Sequence, residues 1–293
     1  MTLPLIELIK QGLELPGMKV IDCRYLFSDL FGCFFNSTPN EQTNDIEFGE
    51  MFYNQLFPLI SKPDVVFVEE CKMETERYFS ILRNNLRKRR KALAKRKVEP
   101  SYFTRENGIN HTKVREYQLM NQLLHQRISR RKGQLFEIMN HNLASKHIPN
   151  DIKPYLSRIE GAFKAIANSP TVRSYQRGLS KISLGMEEHL DNDSKMLAKA
   201  YALSYLGPVN FLTTDADMFL IAREFYFDPS HVARRYQFDD IELPEHGINV
   251  VTRRKWESMI AVPGTERFLG IPLSQYLSEK ANTRQQSPQT LPA

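Results

Sequence analysis

The chain has few of the features that staple a protein together or carry it through a membrane. Its 293 residues include only three cysteines, Cys23, Cys33 and Cys71. An odd count without a Cys-x-x-Cys pair argues against a disulfide framework and against a structural zinc site. Seven histidines occur without a His-Glu-x-x-His pattern, which leaves out the common zinc-hydrolase arrangement. No apolar run approaches the ~20 residues that span a bilayer. Met1 to Lys10 has no basic stretch followed by an apolar core and small-residue cleavage site, so it does not read as a signal peptide. These absences point to a protein of a reducing cytoplasm, away from membranes.

The segment from Arg83 to Lys97 lacks acid altogether. It carries nine basic residues: Arg83, Arg87, Lys88, Arg89, Arg90, Lys91, Lys95, Arg96 and Lys97. The whole chain has a net charge of +6 and a pI near 9.1. A run of like charge is ordinarily a solvated helix face. Here no acidic neighbour relieves its self-repulsion, and a polyanion would. Phosphate contacts along it would weaken steeply with salt. Phe79, Tyr102 and Phe103 flank the run and could stack on bases. Leu86, Ala92, Leu93 and Ala94 are too few apolar anchors for a helix lying on a membrane.

Short apolar runs mark buried strands at residues 18–23, 65–68, 209–213 and 247–251. Helical spacing occurs in 50–60, 72–97, 112–128, 151–167 and the segment that follows Asp193. Strand, helix and strand in alternation predict an α/β fold with a parallel sheet. The middle of the chain, 77–185, reads as a basic helical block inserted between two halves of a core, residues 1–76 and 186–278. Residues 279–293 are polar and predict a disordered tail.

Acids stand where these strands end. Asp22 follows Val20-Ile21, and Glu69, Glu70, Glu74 and Glu76 follow Val65–Val68. Asp193 opens the pattern Asp193-Ser-Lys-Met-Leu-Ala198-Lys-Ala200, and Thr213-Thr214-Asp215-Ala216-Asp217 closes the third run. Parallel strands bring such ends to one edge of the sheet. Carboxylates gathered there without basic partners repel one another unless a divalent cation holds them. Taken singly, each has a plainer reading: Asp193 as a helix N-cap, Glu69 and Glu76 as solvated charges.

In their order, these signatures resemble the PIN-domain nuclease superfamily. That resemblance covers about residues 18–76 and 190–260, through the strand-end Asp22, the Asp193-x₄-Ala198-x-Ala200 helix, the Thr213-x-Asp215 strand end and Val250-Val251-Thr252. A more distant likeness is to flap-endonuclease-type 5′ nucleases, in which a basic helical arch follows the second strand; no glycine-rich helix–hairpin–helix segment follows Asp217 here. The resemblance implies a PIN-like, Rossmann-like three-layer core. It also implies a hydrolase, an endonuclease using Mg²⁺ or Mn²⁺ on nucleic acid, with RNA favoured over DNA. The implied catalytic and metal-binding residues are Asp22, Glu74, Asp193 and Asp215, with Asp217 as a further ligand and Glu70 as the rival to Glu74. Thr213 or Thr214 would orient a carboxylate or a water.

Two other readings stand beside it. A Toprim-type domain would use Glu69 with Asp215-x-Asp217 and leave Asp22 without a role. A catalytically silent nucleic-acid-binding module would keep the basic run and treat the acids as structural. The helical block could also hold a protein partner or a second copy of the chain.

Overall fold

A computed structural model of the chain describes residues 2–22, 25, 54–94, 104–105, 108–109, 111–173, 186–215, 217–253, 258–261 and 271–286. Six strands form one sheet: β1 (Met18–Ile21), β2 (Val65–Phe67), β5 (Val209–Thr213), β6 (Ile248–Arg253), β7 (Ser258–Ala261) and β8 (Ile271–Pro272). A separate two-stranded hairpin holds β3 (Thr104–Arg105) and β4 (Gly108–Ile109). The order in the main sheet is β2-β1-β5-β6-β7-β8. The first four strands are parallel, and β7 and β8 extend the sheet antiparallel.

The described helices are α1 (Thr2–Leu13), α2 (Glu69–Ala94), α3 (His111–His141), α4 (Ala144–His147), α5 (Leu156–Ala167), α6 (Met186–Leu203), α7 (Asp217–Phe227), α8 (Pro229–Arg235) and α9 (Leu273–Gln286). Residues 54–60 are helical as well. The chain is therefore α/β, with a four-strand parallel sheet and mostly helical content, an arrangement compatible with a three-layer core. The four apolar runs read from the sequence coincide with the four parallel strands. Their residues are buried because a parallel strand is covered on both faces.

The core sits between the sheet and the helices α5, α6 and α7. Phe163 of α5 stacks on Phe225 of α7, with centroids 4.3 Å apart. Tyr201 of α6 meets both rings edge-on. Helix α5 lies inside the stretch expected to be an insertion, yet it packs against α6 and α7 and shares their core. Leu135 and Met139, near the end of α3, belong to the same core.

The outer parts of α2 and α3 form an arm. α2 and α3 pack together, and Asn142, just after α3, accepts the amide of Phe67, just before α2, so the two helices run antiparallel. Among the described side chains, none from Ser80 to Gln134 is buried. The stretch of α2 from Phe79 to Ala94 is about 22 Å long at 1.5 Å per residue.

Two sequence expectations change. Helix α6 begins at Met186, so Asp193 lies two turns inside it and is no N-cap. The upstream residues Met186-Glu-Glu-His-Leu190 hold good helix formers and no Gly or Pro, and the helix extends through them. At the other end, residues 279–286 continue α9 and are not a disordered tail. Leu273 buries itself at the start of that helix, and Ser278 and Glu279 bond one turn back to Ser274 and Gln275. Residues 287–293 lie outside the described residues.

Candidate functional site at the strand ends

Register builds the site. Ile21 of β1 pairs with Phe67 of β2 on one side and Leu212 of β5 on the other, and Leu212 pairs with Val251 of β6. The next residue of each strand therefore falls in one row: Val68, Asp22, Thr213, Thr252. All four are buried. The row lies at the C-terminal edge of the parallel strands. After β1 the chain crosses to β2 on one side, and later strands continue from β5 on the other. The β1–β5 boundary is thus the topological switch point, where open α/β sheets bind their ligands.

Asp22 is 2% exposed, so its carboxylate has to be satisfied by protein groups. The Thr213 hydroxyl donates to Asp22 Oδ2 at 2.7 Å. The same hydroxyl oxygen accepts the Asp215 amide at 3.0 Å. Asp215 Oδ1 in turn accepts the amide of Asp217, the first residue of α7, at 3.0 Å. One chain of hydrogen bonds therefore links Asp22, Thr213, Asp215 and Asp217. The Asp215 side chain thus closes an Asx turn on the amide two residues on, a plain local role for an Asp, and that bond also fixes where its carboxylate stands. Thr214, half-buried, follows Thr213.

A second group lies at the end of the neighbouring strand. Glu69 and Glu70 open α2 directly after β2, where the helix dipole favours negative charge. Lys199 of α6 donates to Glu69 Oε2 at 2.6 Å and to Glu70 Oε1 and Oε2 at 2.9 and 2.7 Å. Burial pulls the Glu69 carboxyl upward. The Lys199 and Ser145 hydrogen bonds, its own backbone amide and the Lys199 charge outweigh that pull and hold it below its ordinary value. Glu69 is therefore not a solvated charge. Nor are the strand-end acids without a basic partner, as the sequence alone suggested. Lys199 went unread there, although it is a lone cation in the apolar stretch Met196 to Leu203, and such a lysine needs a partner.

The remaining expected residues are spread out. Glu74 is half-buried one turn beyond Glu70, and Asp193 is half-buried on α6. Glu76 is exposed and lies 3.7 Å from Lys132. Among the described residues, no three His, Cys, Asp or Glu side chains come together in a group that could hold a metal ion. In chemical type the donors at the switch point suit a hard cation, since carboxylates end two adjacent strands. Mg²⁺ in particular takes one or two carboxylates and completes its shell with waters and substrate phosphates.

In the basic segment, Arg83, Arg87, Lys88 and Lys91 are exposed on α2. Arg89 and Arg90 belong to the same helix. Lys95, Arg96 and Lys97, with Tyr102 and Phe103, lie outside the described residues. Phe79 is buried against Phe136, so it packs in the core and does not stack on bases. No described helix is long and apolar enough to cross a membrane.

The chain matches no protein-family model, no curated protein and no solved structure. What defines its class is the fold itself: an α/β protein whose parallel sheet carries carboxylates at its switch point.

Proposed function

We propose that this protein is a metal-dependent nuclease that hydrolyses phosphodiester bonds at the C-terminal edge of its sheet, with RNA the favoured substrate. One observation carries the reading: Asp22 and Asp215 flank the switch point on adjacent strands and are tied to each other through Thr213. The order of the acidic signatures, similar to that of PIN-domain nucleases, supports it, and the preference for RNA rests on that resemblance alone.

Asp22 and Asp215 are the principal ligands in this reading, and Asp217, Asp193 and Glu74 (or Glu70) are the further acids. A bound Mg²⁺ or Mn²⁺ supplies an activated water and offsets charge on the phosphate. Thr213 holds the Asp22 carboxylate in one orientation and the Asp215 amide in register with it. Lys199 holds Glu69 and Glu70 to α6. Two carboxylates make a weak site by themselves, so the ion is recruited together with the substrate's phosphate.

The test is cleavage of labelled single-stranded RNA and DNA with Mg²⁺, Mn²⁺ or EDTA, by wild type, Asp22→Asn and Asp215→Asn. Metal-dependent cutting that both variants lose supports the reading. Equal cutting by all three proteins places the activity elsewhere. Binding without cutting by any of them favours a silent binding module, and cutting that survives Asp22→Asn yet needs Asp215 and Glu69 favours a Toprim-like site.

A further inference from the structure

The register that aligns the strand ends at one edge of the sheet aligns the strand starts at the other. Lys19 pairs with Val65, Met18 with Val209 and Val209 with Ile248, so Asp64, Met18, Val209 and Ile248 share a row at the N-terminal edge. Beside this row lies a cavity of 340 Å³ whose wall includes Met18, Asp64, Leu203, Leu206 and Pro208. Cavities of this order hold whole small ligands, so a leucine side chain has room. Leu206 in that wall is 57% exposed. Phe227, 85% exposed, follows Tyr226, whose hydroxyl meets the Ile248 amide at the start of β6. This edge therefore presents an apolar groove to solvent.

The connections that lead into the four parallel strands are acidic. Residues 14–17, 61–64, 204–208 and 236–247 carry Glu14, Asp64, Asp239, Asp240, Glu242 and Glu245, with Lys62 as their one Lys or Arg. Each of these acids is exposed or half-exposed. Arg234 and Arg235 belong to α8, before the last connection. In the cavity wall Lys19 donates to Asp64 Oδ2, while Asp64 Oδ1 accepts no hydrogen bond among the described residues. A chain of net charge +6 thus has one acidic edge, and it concentrates the opposite charge in its arm. Arg83, Arg87, Lys88 and Lys91 are exposed on α2, and Arg115 is exposed on α3. Leu119, 58% exposed, follows Arg115 by one helical turn.

The arm of one molecule does not serve its own groove. Both its roots sit on β2 at the opposite edge, and no described side chain from Ser80 to Gln134 is buried against the body. We infer that the groove is a docking site for the arm of a second copy of this chain. Leu119 enters the cavity, Arg115 meets the Asp64 carboxylate, and the cations of α2 face the acids of residues 239–245. The contact joins two different surfaces, so copies link head to tail unless two of them exchange arms. An arm held in this way is withheld from nucleic acid, but the association itself does not depend on the nuclease reading.

Sedimentation velocity on the full chain, cleared of nucleic acid, tests the contact. At about 0.05 M salt the mass rises above the 34.1 kDa of one chain as concentration increases, and at about 0.5 M salt it returns to one chain. Arg87→Gln/Lys88→Gln/Lys91→Gln neutralises the arm, and Asp239→Asn/Glu242→Gln/Glu245→Gln neutralises the edge. Each variant alone sediments as one chain. Their mixture forms a complex of two chains and no larger one, because the first keeps only its edge and the second only its arm. Leu119→Ser and Leu206→Ser each weaken association at least about tenfold and leave its salt dependence unchanged. All the substituted side chains are exposed, and circular dichroism checks that each variant is folded.

A single chain at every salt and concentration overturns the inference. So do oligomers of either neutralised variant alone, a mixture that stays monomeric, or association untouched by Leu119→Ser and Leu206→Ser. A wild type that stays single yet binds a labelled peptide of residues 83–97 through the edge acids, read by fluorescence anisotropy, gives the groove to a basic segment of another protein and overturns self-association.

Discussion

Replacing Thr213 by valine tests the central contact of the site. Valine keeps the shape of threonine and exchanges the hydroxyl for a methyl group, so no cavity forms in the fully buried position. Two hydrogen bonds disappear, to Asp22 Oδ2 and from the Asp215 amide. A bond to an ionised group contributes about 1.5–3 kcal/mol and one to a neutral amide about 1 kcal/mol. Asp22 has other interactions in the fold, which favours the lower half of the summed range, a loss of about 2–3 kcal/mol. Thr213→Ser keeps the hydroxyl and loses one methyl, for about 1 kcal/mol. Urea denaturation followed by circular dichroism measures both. With a urea m-value near the upper end for proteins, about 3 kcal/mol/M, the valine midpoint falls by about 1 M and the serine midpoint by about a third of that. On the proposed nuclease reading, cleavage falls about 10–100-fold in the valine variant, the usual consequence of losing a group that orients a ligand, and recovers in the serine variant. A valine protein within about 0.5 kcal/mol of wild type, or a serine protein as damaged as the valine one, refutes the reasoning.

Other outcomes follow from the same structure. Gly17 has φ +91° and a Cβ there would lie 2.6 Å from the Pro208 carbonyl oxygen, so Gly17→Ala destabilises by about 1–3 kcal/mol, measured as a lower urea midpoint. The Tyr226 hydroxyl, its pKa raised by burial, accepts the Ile248 amide at 2.9 Å where β6 begins; Tyr226→Phe orphans that amide and costs about 1–3 kcal/mol, visible in thermal unfolding. Glu69 is held below its ordinary value of 4.5, so its contribution to stability is complete above that value and is lost as pH falls through the lowered one. In Lys199→Met, Glu69 loses the hydrogen bond and the charge of that partner while burial still pulls its carboxyl upward, so it is held down less than in the wild type. The destabilisation caused by Lys199→Met is therefore large at neutral pH and shrinks on acidification toward about pH 4, as urea titrations at the two pH values would record.

The parallel core was legible because its strands are covered on both faces and must be apolar throughout. Val65-Val-Phe-Val68 and Val209-Asn-Phe-Leu-Thr213 have almost no other reading. The antiparallel strands β7 and β8 were not legible, since Ser258–Ala261 and Ile271–Pro272 are too short to show a period. Asp22 and Asp215 could be read because strand ends are visible in sequence. The role of Lys199 could not, because an ion pair joining α6 to the start of α2 depends on how two helices pack, 129 residues apart. The Asp193 pattern shows the same limit from the other side: an N-cap signature carries little weight when the residues before it also favour helix. The helical content of 77–185 was evident from spacing, but only packing divides it into an arm and a core helix.

Both roots of the arm are fixed to the same short strand. α2 starts two residues after β2 ends, and the chain leaving α3 returns to β2, where the Asn142 carbonyl accepts the Phe67 amide at 2.8 Å and Leu143 forms a bridge to Phe67. That one amide is thus held by the arm's far root and not by a neighbouring strand of the sheet. Its hydrogen exchange reads how often the root of α3 lets go, independently of the opening of the sheet. Any pull along α2 bears first on β2, so the Phe67 amide serves as a built-in strain gauge for the arm.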